Sequence, residues 1–179
     1  MEKIQETLLT NFPFSPTQGQ GNDFKLFENF IKSNVLKKAY LLKGYAGTGK
    51  TSLVITLVKT LPELDYKFQL LAPTGRAAKV MAAYTGKDAS TIHKHIYRTE
   101  EDSQGKLKFK KQKNQAANTL YIIDEASMLS DDPAMGAHGL LTDLVYFVFE
   151  GKNNGLVLIG DVAQLPPVGH NLSQGLDAD

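Results

Sequence analysis

Residues 39–51 read Ala-Tyr-Leu-Leu-Lys-Gly-Tyr-Ala-Gly-Thr-Gly-Lys-Thr, and the order of their parts decides the fold. An apolar run, Ala39 to Leu42, has the length of a short buried strand. It delivers the chain to Gly44-Tyr45-Ala46-Gly47-Thr48-Gly49-Lys50-Thr51, a complete G-x-x-x-x-G-K-[ST] phosphate loop. Lys50 then opens a segment, Ser52-Leu53-Val54-Ile55-Thr56-Leu57-Val58, of helical length. Backbone N–H groups of such a loop and the helix N-terminus behind it cradle phosphates, Ser52 included. Gly44, Gly47 and Gly49 let the backbone approach an anion without a Cβ in the way. Lys50 is expected to reach the β/γ-phosphates and Thr51 to place its hydroxyl on Mg²⁺. A bare glycine-rich turn would not need the strand before it and the helix after it, so the stretch points to a nucleoside triphosphate.

Composition narrows the rest only a little. At 179 residues one globular domain is expected, and 42% hydrophobic with 22% charged residues is ordinary for a soluble protein. Twenty Lys+Arg against 19 Asp+Glu give a net charge of +1, so any case for a nucleic-acid partner has to be local. The absence of Cys excludes disulfides and Cys-based zinc sites. The start, Met1-Glu2-Lys3-Ile4-Gln5-Glu6, lacks a signal peptide's apolar stretch, and no segment approaches 18 apolar residues. The expectation is a cytoplasmic protein with no membrane partner.

Along the chain, strands and helices alternate. Residues 1–22 read as mixed, with Pro13, Pro16, Gly19 and Gly21 breaking any helix, and Phe24, Phe27, Phe30 and Ile31 recur at helical spacing over 22–33. Strand 39–43, the loop and a helix over 50–61 follow, with Pro62 past its end. Phe68–Ala72 reads as a second strand, stopped by Pro73. Residues 75–84 suit a helix with Ala77, Ala78, Val80 and Met81 inward and Gly86 as its stop. A short helix is expected over 90–97, entered through Ser90 or Thr91. Leu120–Ile123 and Leu156–Ile159 are continuous apolar strands of the kind buried on both faces of a parallel sheet. Leu140, Leu141, Leu144, Val145 and Val148 mark a helix between them. The fold class is α/β, a mostly parallel sheet with helices on both faces.

Residues 99–118 break this pattern. They are too polar for the core, carry a turn signal at Asp102-Ser103-Gln104-Gly105 and alternate strictly over Lys106-Leu107-Lys108-Phe109-Lys110. A small inserted β-hairpin is expected. Five lysines lie between 106 and 113. They make either a solvated, aggregation-resistant edge or a patch for a polyanion with Phe109 available to stack on a base.

Two further motifs end strands. In Ile122-Ile123-Asp124-Glu125-Ala126-Ser127, Asp124 is placed to hold Mg²⁺ and Glu125 to act on the attacking water. A plain helix N-cap is the competing use of Asp124. In Gly160-Asp161-Val162-Ala163-Gln164-Leu165-Pro166-Pro167-Val168-Gly169, Gln164 is positioned to report on a γ-phosphate, and the two prolines stiffen the loop behind it. Prolines alone would also make a rigid surface turn.

Four stretches, 44–51, 72–81, 122–129 and 160–169, resemble motifs I, Ia, II and III of superfamily 1 DNA helicases, most closely the RecD/TraA/Dda branch. Ala-Pro-Thr-Gly-Arg-Ala-Ala-Lys at 72–79, Thr91-Ile92-His93, and Gly-Asp-x-x-Gln-Leu-Pro-Pro-Val carry the likeness, which covers roughly residues 14–176. It implies a RecA-like motor domain over 1–179 that uses ATP and Mg²⁺ and acts on single-stranded DNA in the 5′→3′ sense, in recombination or repair. Thr17-Gln18-Gly19-Gln20 resembles the adenine-reading Q motif, with Gln20 in the glutamine position and Gln18 the competing assignment. By the same resemblance Lys50, Glu125 and Gln164 are catalytic, Thr51 and Asp124 hold metal, and Pro73, Thr74, Arg76 and His93 line the DNA path. Each DNA residue has a plain alternative. Pro73 and Thr74 can end a strand and cap a helix, Arg76 can be solvated, and His93 or His95 can cap or pack. The hairpin falls where that branch inserts its pin, which favours a DNA contact for Phe109.

The branch also carries a second RecA-like domain with motifs IV to VI and an arginine that reaches the γ-phosphate. The expectation is therefore a chain cut after motif III, slow in ATP turnover and unable to unwind DNA alone. RecD-like chains are often described as part of an ATP-dependent exodeoxyribonuclease, but no nuclease constellation stands apart from the ATPase acids here. Other readings are an ATP-responsive single-stranded-DNA-binding module without turnover, a kinase, and a GTPase. The last would need Asn-Lys-x-Asp, which the sequence lacks.

Overall fold

The computed structural model describes residues 3–45, 47–101, 105, 107–129 and 139–161. Two helices lead, α1 (Lys3–Asn11) and α2 (Gln18–Lys32). Strand β1 (Lys38–Lys43) runs into the phosphate loop and α3 (Lys50–Glu63). Then come β2 (Lys67–Ala72), α4 (Gly75–Thr85), β3 (Ala89–Thr91), α5 (Ile92–Ile96), and the strands β4 (Tyr97–Glu101) and β5 (Leu107–Lys111). β6 (Thr119–Ile123), a 3₁₀ turn over Ala126–Met128, α6 (Leu140–Glu150) and β7 (Gly155–Gly160) complete the described chain.

Five strands form one parallel sheet in the order β1-β7-β6-β2-β3. Every residue of β6 and β7 is buried, as continuous Leu/Val/Ile runs require when both faces are covered. Alternate side chains serve two cores. Leu120, Ile122, Val157 and Ile159 join a cluster built with α1, α2, α3 and Met81. Tyr121, Ile123, Leu156 and Leu158 join another with Ile92, Ile96 and the α6 residues Leu144, Phe147 and Val148. The expected α/β architecture with helices on both faces is the one observed.

Several local expectations need correcting. The first 22 residues hold α1 and the first turns of α2, in spite of Gly19 and Gly21. A reciprocal cap outweighs the two glycines: the Gln20 N–H donates to Thr17 Oγ1 (3.3 Å) and the Thr17 N–H to Gln20 Oε1 (3.0 Å). Pro62 lies inside the last turn of α3 and not beyond it. The chain closes there with Leu64 and Asp65 N–H groups on the carbonyls of Leu61 and Pro62. On α4, Ala78 and Met81 are buried but Val80 is 55% exposed. Residues 89–91 extend the sheet as β3, a strand too short for periodicity to reveal, and Thr91 caps α5 through the Lys94 N–H.

The inserted hairpin pairs β4 with β5, with Thr99 opposite Phe109 and Tyr97 opposite Lys111. It therefore begins two residues before the expected start. Residues 112–118 do not extend it, and they reach the core in part. Asn114 is buried, its amide donating to Phe147 O (2.9 Å) and its oxygen accepting from Tyr121 Oη (3.1 Å) and the Ala116 N–H (2.9 Å). Polarity does not prevent burial when each group finds a partner. The root of the hairpin is fixed to α6 by buried Asp143, which accepts from Tyr97 Oη (2.6 Å) and Lys111 Nζ (3.2 Å).

The corrected face of α4 can be tested by urea unfolding. Met81→Ala is expected to cost about 2–5 kcal/mol by opening a cavity, and Val80→Ala to stay within about 0.5 kcal/mol of wild type. Equal losses would contradict this packing.

Candidate active site

Register sets the site. Lys43 pairs with Gly160, and Ile123 pairs with both Leu158 and Leu71, so β1, β7, β6 and β2 end close together at their carboxyl edges. A cleft of about 420 Å³ opens there. Gly47, Gly49, Lys50 and Thr51 line it from the loop, and Asp124, Glu125, Gly160 and Asp161 from the ends of β6 and β7. Ligands of open α/β sheets bind at this edge.

The loop is built for close approach. Gly47 and Gly49 have φ of +80° and +86°, a region that side chains with a Cβ avoid. A Cβ on Gly49 would also lie 2.5 Å from Gln20 Nε2. Gly49 heads α3 without a side-chain cap, so the first N–H groups of that helix remain oriented toward the cleft. Lys50 Nζ curls back onto the carbonyls of Gly44 (2.6 Å) and Tyr45 (2.8 Å), which fixes the ammonium inside the loop. Thr48 donates its hydroxyl to Tyr45 O, and Gln20 Nε2 donates to Thr48 O (3.2 Å). Gln20 is thus both half of a helix cap and a strut on the loop, while Gln18 stays exposed. Tyr45 is exposed and Ser52 half-buried, and neither is among the residues that line the cleft. Ala46 lies outside the described residues.

Across the cleft, Asp124 continues from β6 with its N–H on Leu71 O (3.1 Å). Its Oδ1 accepts from the Glu125 N–H (2.9 Å) and its Oδ2 from Tyr84 Oη (2.6 Å). Burial and the bond to Asp124 push the Tyr84 phenol far above its usual pKa, so it serves as the donor. Glu125 is exposed and takes a left-handed backbone, φ 55°, which starts the 3₁₀ turn. Gly160 passes close beneath that turn: a Cβ there would meet the Ser127 nitrogen at 3.2 Å. The donors facing the cleft, a threonine hydroxyl and carboxylates, are oxygen ligands of the kind Mg²⁺ takes. Among the described residues no three His, Asp or Glu side chains form a protein-only metal cage. Gln164 lies outside the described residues. Asp161 and Tyr84 are site neighbours that the sequence reading does not single out. Asp161 is signalled only by its place after a strand, and Tyr84 looks like an ordinary residue near a helix end.

Of the expected DNA residues, Pro73, Thr74, Arg76 and His93 follow the carboxyl ends of β2 and β3, farther along the same edge of the sheet. Pairing of Ala72 with Thr91 sets Pro73 and Thr74 beside the start of α5. Thr74 caps α4, accepting from the Ala77 N–H (3.2 Å), and Arg76 is exposed on its first turn. His93 is half-buried, its ring 5.9 Å from that of Tyr97, and its Nε2 is buried with no hydrogen-bond partner among the described residues. His95 instead packs on Tyr121 and Phe147, and burial lowers its pKa. Phe109 is 74% exposed on the hairpin. Beside it Lys110 pairs with Glu100 (3.0 Å), which also holds Arg98 (2.6 Å). Among the described residues no helix is long and apolar enough to cross a membrane.

Comparison with known proteins agrees with this geometry. A family model described as an AAA domain matches residues 28–170. The chain is 32% identical over 180 residues to the ATP-dependent RecD2 DNA helicase of Deinococcus radiodurans, covering 93% of this chain and 23% of that protein. It is 38% identical over 78 residues to the ATP-dependent DNA helicase dda of Enterobacteria phage T4, covering 43% of this chain and 17% of the relative. With the multifunctional conjugation protein TraI of Escherichia coli it shares 31% identity over 106 residues, 56% of this chain and 6% of that one. The chain therefore spans less than a quarter of each of these relatives. A phosphate loop facing an acid pair across a parallel sheet, and a family match over most of its length, make this chain a member of the AAA-domain family, in the superfamily 1 helicase branch that holds RecD2, Dda and TraI.

Proposed function

We propose that the chain is the ATP-binding and hydrolysing motor domain of a 5′→3′ DNA helicase that acts on single-stranded DNA in recombination or repair. The observation that carries this reading is the convergence of Lys50, Thr51, Asp124 and Glu125 on one cleft. In this reading Lys50 and the loop N–H groups bind the phosphates, and Gln20 reads the adenine. Thr51 and Asp124 would hold Mg²⁺, which when bound neutralises charge on the phosphate oxygens. Glu125 orients the attacking water and accepts its proton. Gln164 senses the γ-phosphate. Pro73, Thr74, Arg76 and His93 form the floor of the DNA path, and Phe109 stacks against a base. A second RecA-like domain would be the moving partner, and subunits of an exodeoxyribonuclease are a further partner class suggested by the likeness to RecD.

Calorimetry and a phosphate-release assay test the core of the proposal. Lys50→Ala is expected to remove most ATP·Mg²⁺ binding, because it deletes the point charge facing the phosphates. Glu125→Gln is expected to keep binding and lose hydrolysis. Unchanged affinity in Lys50→Ala would overturn the loop assignment.

Gln20 allows a finer separation. Glu is as good as Gln in a capping box, so Gln20→Glu should leave the unfolding midpoint near that of wild type. It cannot donate to Thr48 O or to an adenine, so ATP affinity is expected to fall about tenfold, the worth of roughly one hydrogen bond to a partner left unsatisfied. Equal ATP and GTP affinities in wild type would refute base reading by Gln20.

The lysine patch predicts a salt effect. Replacing Lys108, Lys110 and Lys113 by Gln, with Lys111 left to hold the hairpin root, should flatten the log–log salt dependence of single-stranded DNA binding by about 2, at roughly 0.7 for each phosphate contact. An unchanged slope would make the hairpin a solvated edge.

A further inference from the structure

Asp124 directly follows β6, and the torsion that turns a carboxylate about its last bond is broad, so such a group does not hold one orientation unaided. Here it is anchored from two elements. The Glu125 N–H takes Oδ1 from the chain side, and Tyr84 Oη, 2.6 Å away, takes Oδ2 from α4. A hydrogen bond of that length to a carboxylate belongs to the strong, charge-assisted kind. The donor is itself fixed. The Tyr84 ring is half-buried against the core cluster that contains Leu57 and Leu61 of α3, and α4 is capped at both ends, by Thr74 and by Gly86 in a left-handed conformation.

We propose that Tyr84 is a positioning residue of the nucleotide site, its hydroxyl holding the Asp124 carboxylate in the plane that presents its remaining lone pairs to the cleft. This rests on the reading of Asp124 as the residue that holds the divalent cation. The phenol is not among the side chains that line the cleft, and it acts through Asp124. Partners of metal-holding carboxylates matter in this way because they set the orientation and basicity of the ligand. A purely structural role for Tyr84 would show in stability. A positioning role shows in the dependence of nucleotide binding on the cation.

The test titrates a fluorescent N-methylanthraniloyl-ADP against the full chain, first in EDTA and then across a Mg²⁺ series, for wild type, Tyr84→Phe and Asp124→Asn. Phe keeps the ring and its packing, and thermal unfolding checks that it does. The expected result for Tyr84→Phe is unchanged affinity in EDTA and a Mg²⁺ midpoint raised about tenfold, the lower end of what loss of such a partner costs. If Asp124→Asn raises the midpoint and Tyr84→Phe does not, Tyr84 has no positioning role while the metal reading of Asp124 stands. If Asp124→Asn leaves the midpoint unchanged, the metal reading falls and takes the proposal with it. A Tyr84→Phe loss of equal size with and without Mg²⁺ would assign the phenol to packing and also overturn the proposal.

Discussion

Strands β1, β7, β6 and β2 run parallel with their carboxyl ends nearly level, because Lys43 pairs with Gly160 and Ile123 with both Leu158 and Leu71. From that register follow the positions of the phosphate loop, the acid pair and Asp161, each of which leaves a strand at the same edge. Even the entry to the loop is tied to it: the Gly44 N–H donates to Gly160 O (3.3 Å). A slip of one residue in β6 would turn Leu120 and Ile122 from one core to the other. Two apolar cores thus fix the register, and the register places the chemistry. The same edge carries Pro73 and Thr74 after β2 and the start of α5 after β3, so the nucleotide cleft and the expected DNA residues occupy neighbouring stretches of one sheet edge.

Much of this was legible in the sequence, and what was not has a consistent cause. The continuous apolar runs at 120–123 and 156–159 could be read as doubly buried strands, and the loop with its flanks could be read as strand–turn–helix. Those signals are local and strong. Misreadings arose where a weak local rule met a specific partner. Gly19 and Gly21 argue against a helix start, yet the Thr17–Gln20 pair caps one. Val80 is apolar at a plausible inward spacing, yet Ala78 and Met81 occupy the buried stripe. Asn114 looks like a loop residue, yet its side-chain amide and its backbone N–H tie residues 112–118 to Phe147 and Glu150 of α6. Polar burial depends on partners far along the chain, which periodicity cannot see.

The hairpin illustrates the same point on the functional side. Its strand alternation and lysine density could be read directly, but the way it is mounted could not. Asp143, buried in the first turn of α6, accepts from residues at the two ends of the hairpin, Tyr97 and Lys111, which also face each other in register. One of the five lysines is therefore an anchor, backed by the Tyr146 ring 5.4 Å from its ammonium. The same helix contributes Leu144, Phe147 and Val148 to the core beneath β6 and β7. The exposed Phe109 accordingly stands on a mount joined directly to the sheet that carries Asp124 and Asp161.

Backbone strain marks the acid pair most sharply. A left-handed conformation at a residue with a side chain costs about 1–2 kcal/mol, and Glu125 adopts it two residues after the end of a fully buried strand. The surroundings hold it there. The Glu125 N–H is bonded to Asp124 Oδ1, its carbonyl accepts from the Met128 N–H (3.0 Å), and Gly160 leaves room for the Ser127 backbone to pass. Glycine at 125 would relieve the strain and remove the carboxylate. The position keeps a glutamate, and the consequence of the sharp turn is that Asp124 and Glu125, adjacent in sequence, both line the cleft although Asp124 is half-buried and Glu125 exposed. In an extended strand, neighbours point to opposite faces. The strained turn lets two consecutive acids line the same cleft, as the division of duties proposed for them, one on a metal and one on water, requires.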